Sequence, residues 1–196
     1  IAVLGITDYF SIKGYYKTLE YKNKGRLSNI DLLIPNVELR ILPATKDGNA
    51  INLHILFSPS IVDEIDSLFF NNLEFKYKGN AYKCVENDLI KLGKAFENDS
   101  EMSKEKAYKI GCNQFKTTAD KLNKIFKKNK KLKNNSITAV SNNSKDGNSG
   151  IPHSNLAATR QEIYRFSDMI FSSTPQDRPY FLGQLKDNPK KVINDY

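Results

Sequence analysis

Three polar side chains lie inside apolar, strand-forming runs near the start of the chain. Asp8 ends the run IAVLGITD, Glu38 lies within NVELRI, and His54 lies within INLHILFS. Aspartate, glutamate and histidine are together the ligands that zinc, manganese and iron take in proteins. Such ions polarise a phosphoryl oxygen and lower the pKa of bound water to about 7. The three residues therefore predict the metal site of a hydrolase, with divalent Mn, Zn or Fe as cofactor and Asp8 and Glu38 as the catalytic carboxylates.

Each of these residues also has a purely structural interpretation. Asp8 would cap the helix that follows it, and His54 would be a hydrogen-bonded histidine of the core. Glu38 would pair with Arg40 or Arg26. For one residue taken alone the structural interpretation is the simpler, whereas three such residues on separate β-rich runs make a shared site an equal alternative. Both interpretations stay open at the level of the sequence.

A second candidate site follows the strand-like run SITAV, which leads into the small-residue loop SNNSKDGNSG. Such a loop offers many backbone N–H groups to an anion, although it lacks the Gly-Lys-Ser/Thr of a P-loop. An arginine in the next helix has the planar fork that suits phosphate oxygens; alternatively, it pairs with Glu162 or faces solvent. The predicted phosphate-binding residues are Ser141, Asn142, Ser144, Gly147 and Arg160.

Alternating β-rich runs and helical patterns position these residues and predict an α/β fold. The runs IAVLGI, DLLIP, NVELRI, INLHILFS, SITAV and DMIFSS are predicted strands, and FKYKGNAYKCV suits a strand pair around Gly79. Helices are predicted over SIKGYYKTLEYKNKG, SIVDEIDSLFF, NDLIKLGKAF and NLAATRQEIYRF, and one begins within TPQDRPYFLGQ. The longest helical pattern runs from 101 to 133. We therefore expect a single α/β domain over 1–196, with a basic helical insertion near 86–133.

The charge balance permits a polyanionic partner. The chain has 30 Lys and Arg against 22 Asp and Glu, a net charge of +8, which favours nucleic acid without specifying it. The lysine-rich run from Lys121 to Lys133 lacks the interleaved aromatic residues of a single-strand platform. A solvated helix face is therefore the preferred interpretation of that run.

Cysteine usage and hydropathy set the expected compartment. Cys84 and Cys112 have neither the spacing of a metal knuckle nor the density of a secreted scaffold, which predicts a reducing cytoplasm. No stretch of the sequence approaches the length of a membrane span, so no membrane partner is expected. Because the chain begins inside a strand and ends at KKVINDY, we expect it to be part of a larger protein.

Two groups of motifs carry a family resemblance. LGITDYFS, IPNVELRI and INLHILFS, in that order, resemble the motifs of the PHP (polymerase and histidinol phosphatase) superfamily. ITAVSNNSKDGNSG and ATRQEIYRFSDMIFSSTPQDRPYFLGQ resemble a bacterial subgroup in which a PHP-like domain precedes an SMC-like or AAA-type ATPase. Members of that subgroup are linked to DNA repair or phage defence. The resemblance covers most of the chain, with the stretch 63–133 the least well matched.

The resemblance implies a fold, an activity and partners. It implies a partial or distorted β/α barrel of PHP type and a metal-dependent phosphoesterase that acts on nucleic acid, joined to an ATPase domain. Glu38 would be the bridging metal ligand, and His153 in GIPHSN would match a later Pro-His motif as a further ligand. The sequence departs from the family at Tyr9, where the motif has histidine, and it lacks the opening His-x-His. The alternative is therefore a catalytically degenerate module that binds nucleic acid or nucleotide, or regulates a fused ATPase.

Overall fold

A computed structural model of the chain describes residues 2–42, 51–142 and 157–184. Its main sheet contains strands β1 (Val3–Tyr9), β2 (Leu32–Leu42), β3 (Ile51–Phe57), β6 (Thr117–Thr118), β7 (Ser136–Ser141) and β8 (Met169–Phe171), and strands β4 (Glu74–Tyr77) and β5 (Asn80–Lys83) form a separate hairpin. The helices are α1 (Lys13–Asn23), α2 (Ile65–Leu68), α3 (Glu86–Glu97), α4 (Lys104–Gln114), α5 (Ala119–Lys128), α6 (Lys130–Asn134), α7 (Ala157–Phe166) and α8 (Arg178–Phe181). Short 3-10 helices cover Pro59–Glu64, Phe70–Asn72 and Pro175–Asp177.

The main sheet is mixed, with the strand order β1-β2-β3-β7-β8 and with β6 beside β2. β1 and β2 are parallel, as are β7 and β8, whereas β3 runs antiparallel to both of its neighbours. The predicted α/β fold is thereby confirmed. The strands in the described ranges do not close into a barrel, because β1 and β8 lie at opposite edges of the order.

Alternation along the strands divides the sheet into a core face and an open face. In β3 the residues Ile51, Leu53, Ile55 and Phe57 are buried, and those between them are half-buried. Successive side chains of a strand point to opposite faces, so the buried set lies on one face, which packs against the helices. We call the other side of the sheet the open face. It carries the alternate residues of each strand, among them Glu38 and His54.

Two predicted elements differ in detail. DLLIP and NVELRI form the single strand β2, in which Pro35 pairs with β1 but lies beyond the end of the pairing with β3. A proline is tolerated at this position because β3 does not pair with it, so the missing N–H removes no hydrogen bond to β3. The segment SIVDEIDSLFF forms a 3-10 helix and the one-turn helix α2 rather than one continuous helix.

The long helical pattern over 101–133 is broken into α4, α5 and α6. Thr118 and Asn129 interrupt it by capping, since their side chains accept hydrogen bonds from the backbone N–H groups of Lys121 (3.2 Å) and Leu132 (3.0 Å). The buried side chains of α5 and α6, Leu122, Phe126 and Leu132, belong to the same core as the sheet. The predicted basic insertion near 86–133 therefore shares its core with the strands.

Helices α3 and α4 pack unusually closely through two glycines. A Cβ at Gly93 would lie 1.9 Å from the backbone oxygen of Ala107, and a Cβ at Gly111 would lie 1.9 Å from that of Leu89. Only a residue without a side chain permits this approach of the two backbones. Among the described residues, no helix combines the length and apolar character needed to cross a membrane.

Candidate functional site

The register of the sheet separates Asp8 from the other two predicted metal ligands. Tyr9 pairs with Glu38, and Glu38 pairs with His54, so these three side chains lie on the open face. Asp8 pairs with Val37 and therefore lies on the core face. The expectation of one site built from all three ligands does not hold in this arrangement.

Asp8 acts instead on the start of α1. Its Oδ2 accepts a hydrogen bond of 2.6 Å from the backbone N–H of Gly14, one of the N–H groups that a helix leaves unpaired in its first turn. A Cβ at Gly14 would lie 2.6 Å from Oδ1 of the same carboxylate. The contacts of Asp8 are therefore those of a helix cap, which is the structural interpretation of this residue.

Glu38 lies at the centre of the open face and is buried, with 8% exposure. The side-chain amide of Asn52 donates a hydrogen bond to its Oε1, and the hydroxyl of Tyr9 hydrogen-bonds with it as well. These contacts replace the predicted ion pair with Arg40 or Arg26. Glu38 is therefore a carboxylate that is held in place by neutral donors.

His54 lies directly opposite Glu38 on the neighbouring strand. The side-chain amide nitrogen of Asn36 lies 3.2 Å from Nδ1 of His54 and 2.8 Å from the hydroxyl oxygen of Thr7. An amide N–H is a donor, so Nδ1 accepts and the neutral ring carries its proton at Nε2. Burial lowers the pKa of His54 below its ordinary value, and the charge of Glu38 opposes that effect without cancelling it. His54 is therefore neutral at pH 7.

Tyr9 occupies the position where the PHP motif has histidine. Its ring is 48% exposed, and the guanidinium carbon of Arg40 lies 5.6 Å from the ring centroid. Burial of the hydroxyl, followed by the hydrogen bond and charge of Glu38, raises the pKa of Tyr9 above its ordinary value. Tyr9 therefore remains a protonated phenol, which is a donor and a poor metal ligand.

The fit to a metal ion follows from these contacts. Within the described ranges, no group of three or more His, Cys, Asp or Glu side chains could hold a metal. Glu38 and His54 have suitable chemistry and share a face, but Asp8 is turned away and is engaged by α1. The set of Asp8, Glu38 and His54 thus does not fit one ion.

The open face also carries large exposed hydrophobic side chains. Phe171 is 42% exposed, and its ring lies 5.7 Å from that of His54 in an edge-to-face arrangement. The exposed hydrophobic residues of this face are Val3, Tyr9, Leu32, Leu42, Ile137, Met169 and Phe171. Sequence reasoning missed Phe171 as a site residue. The available signal was the strand-like run MIF, because alternate residues of a strand lie on opposite faces and Phe171 therefore shares a face with Met169 and not with Ile170.

The second predicted site is described only in part. Ser141 and Asn142 are buried at the end of β7. The side-chain amide of Asn142 donates to Asp177, and its Oδ1 accepts a hydrogen bond of 2.5 Å from the hydroxyl of Tyr164. Both ends of that amide are thus used within the fold. Ser144, Gly147 and His153 lie outside the described residues, as does the side chain of Arg160, and their predicted roles stay predictions.

Comparison with known proteins adds no relative: no family model, no curated protein and no solved structure matches this chain. The resemblance to the PHP superfamily therefore stays a prediction from the motifs.

Proposed function

We propose that the open face binds single-stranded nucleic acid. The observation that carries the proposal is the exposure of two aromatic rings, Tyr9 and Phe171, on a sheet face whose centre is lined by hydrogen-bonding side chains. Unstacked bases bind to sheets of this kind by stacking on exposed aromatic rings and by hydrogen bonding through their edges. This is the nucleic-acid-binding alternative of the sequence analysis, with a surface assigned to it.

The positions of the two rings suit an extended strand. A row of paired residues crosses the sheet from Tyr9 through Glu38, His54 and Ala139 to Met169, and Phe171 lies two residues further along β8. Four inter-strand spacings of about 4.8 Å separate β1 from β8, or about 19 Å. A single strand lying along this row would meet an aromatic ring near each end and polar side chains between them.

Hydrogen-bonding capacity on the open face supports base recognition. The side-chain amide nitrogen of Asn36 already donates to Thr7 and His54, and its buried Oδ1, which has no partner among the described residues, is not accessible to a ligand in this arrangement. The neutral ring of His54 supplies a donor at Nε2, and Arg40 adds a cation beside Tyr9. The one carboxylate in this row, Glu38, is buried and hydrogen-bonded, and because a buried charge is little screened it repels phosphate, so the bases rather than the backbone must lie over it.

The proposal is tested by binding fluorescent oligothymidylate and oligouridylate to purified protein and measuring anisotropy. Stacking contributes about 1–3 kcal/mol per base, so Tyr9→Ala and Phe171→Ala should each weaken binding about tenfold or more. The matched controls are Tyr21→Ala and Phe96→Ala, which remove aromatic rings of 39% and 38% exposure outside the main sheet. Tyr21 even has an arginine partner, since the guanidinium carbon of Arg26 lies 5.1 Å from its ring centroid.

The controls decide the outcome. Equal losses in the control variants and in the open-face variants would show that binding is not located on this face. Absence of binding to either oligonucleotide would reject the proposed function. A difference between oligothymidylate and oligouridylate would identify the preferred nucleic acid.

A second candidate, phosphoester hydrolysis within a PHP-like partial barrel, is favoured by one observation. Glu38 and His54 lie side by side on the open face, where a bound strand would pass. In this candidate they are two of the ligands of a divalent ion, and further ligands come from outside the described residues. Its support is the motif resemblance together with that pairing, and Asp8 has no part in it.

A further inference from the structure

A cleft lies at the β1 edge of the sheet, where the open face meets helix α4. Its volume of about 690 Å³ lies within the roughly 300–1,000 Å³ that small-ligand sites occupy. Tyr9 and Arg40 line it from the sheet, and Lys106, Tyr108, Lys109 and Cys112 line it from α4. Because Tyr9 and Arg40 belong to both surfaces, the cleft continues the row of the open face.

The cleft has an excess of positive charge. Arg40, Lys106 and Lys109 line it against one carboxylate, Glu105. None of the three cations forms an ion pair with a described carboxylate, whereas lysines elsewhere do, as in the pair of Lys133 with Asp168.

The position of Arg40 is fixed from the helix side. Its Nη1 donates a hydrogen bond of 3.3 Å to Oδ1 of Asn113 in α4. The charge of Arg40 also contributes to lowering the pKa of Lys116, after the larger effect of burial. Lys116 therefore lies close enough to Arg40 for the two charges to interact.

The charge suits a phosphate monoester better than a phosphodiester. A phosphodiester carries one negative charge, whereas a terminal monoester carries about −1.5 to −2 at pH 7 and presents three strong acceptor oxygens. Guanidinium and ammonium groups make charge-assisted hydrogen bonds to such oxygens. The rings of Tyr9 and Tyr108 in the same cleft offer surfaces on which a terminal base can stack.

We infer that the cleft between Tyr9, Arg40 and α4 binds the terminal phosphate monoester of a single-stranded nucleic acid whose following nucleotides lie on the open face. This inference rests on the proposed function and adds end recognition to it. The terminal nucleotide occupies the cleft, Arg40, Lys106 and Lys109 contact its phosphate, and the strand leaves past Tyr9 towards Phe171.

The test compares oligothymidylates of about ten nucleotides with a 5′-phosphate, a 3′-phosphate or hydroxyl groups at both ends. One phosphorylated form should bind the wild-type protein about tenfold tighter than the hydroxyl-ended form, because charge-assisted hydrogen bonds contribute about 1.5–3 kcal/mol each. Which end is preferred gives the direction of the strand.

Two double variants with the same loss of charge separate end recognition from general electrostatics. Lys106→Gln with Lys109→Gln should reduce the ratio of phosphorylated to hydroxyl-ended affinity to about one, whereas Lys124→Gln with Lys127→Gln on α5 should leave it at about ten. Both lower the affinity for every oligonucleotide through the loss of charge, so the ratio is the readout. An unchanged ratio in the α4 variant would overturn the inference.

Cys112 provides a second readout in the unmodified protein. It lines the cleft, whereas Cys84 is 1% exposed and serves as an internal control. The preferred phosphorylated oligonucleotide should slow alkylation of Cys112 by N-ethylmaleimide more than the hydroxyl-ended one at equal occupancy, as measured by mass spectrometry. Equal binding and equal protection by all three oligonucleotides would overturn the inference and leave the proposed function standing; no binding by any of them would overturn both.

Discussion

Asp8 and Tyr9 are neighbours in the chain and act on opposite sides of the sheet. The carboxylate of Asp8 holds the first turn of α1, and the ring of Tyr9 lies on the open face beside Arg40. The backbone alternation of a strand forces this division, whatever the chemistry of the two side chains. Asp8 is therefore a structural residue, and Tyr9 belongs to the proposed binding face.

Replacing Asp8 tests its structural role. Asp8→Ala should lower the free energy of unfolding by about 1 kcal/mol, because the backbone N–H of Gly14 loses its acceptor, whereas Asp8→Asn should lose less since an amide oxygen can still accept. Urea denaturation followed by circular dichroism measures both changes. Asp31→Ala is the control, since Asp31 is an exposed carboxylate of the same type.

Metal addition separates this role from that of a ligand. Added Mn²⁺ or Zn²⁺ should affect the stability of the wild-type and Asp8→Asn proteins equally, because the carboxylate is already engaged by α1. A metal-dependent stabilisation of the wild type that disappears in Asp8→Asn would restore Asp8 as a ligand.

The sequence identified the important residue types but not their sides of the sheet. Glu38 and His54 were correctly expected to lie close together, since each is a polar residue inside an apolar strand. Asp8 is grouped with them because the apolar run IAVLGIT stops at it, whereas β1 continues through Tyr9 and places Asp8 on the core face. The alternation of Leu4, Ile6 and Asp8 with smaller or polar neighbours was the available signal. Pairing across strands, which decides the face, is a tertiary property.

At the scale of elements, α3 and α4 form a pair that depends on backbone contact. Gly93 and Gly111 bring each helix against a carbonyl of the other. Because α4 supplies one wall of the cleft, this packing also fixes where Lys106 and Lys109 lie relative to Arg40. The helix pair thus positions the proposed end-recognition site.

Replacing Gly93 with alanine should destabilise the protein although alanine is the better helix former. Helix propensity alone would favour the variant by about 1 kcal/mol, but the added Cβ would meet the backbone of Ala107 and overpacking costs about 1–3 kcal/mol. A lower urea midpoint is therefore expected. The control is Asn87→Ala at an exposed position of α3, which should change the stability by about 0.5 kcal/mol or less. A Gly93→Ala protein as stable as the wild type would contradict the close packing.

The hydrophobic periodicity of the sequence predicts most of the helices and strands, but it does not predict where a helical pattern is divided. The strands around Glu38 and His54 and the helix α3 lie where their patterns placed them. The pattern over 101–133 indicated one long helix, but Thr118 and Asn129 cap new helices inside it. A side-chain cap competes with helix continuation, and which one forms depends on packing that a single sequence does not display.

At the scale of the whole molecule, the described helices cover one face of the main sheet and the other face carries the aromatic and polar groups. The lysine-rich surface of α5 and α6 is a rival site for nucleic acid. Several of its lysines are already paired, such as Lys124 with Asp120 and Lys131 with Glu64. These pairs agree with the interpretation of that surface as a solvated helix face.

Ultraviolet cross-linking of the protein to oligothymidylate, followed by mass-spectrometric mapping of the attached nucleotides, tests the central claim most directly. We expect cross-links on β1, β3 and β8, at Tyr9, His54 and Phe171, and none at the exposed control ring of Tyr21. Cross-links confined to the run from Lys121 to Lys133, with none on the open face, would contradict it.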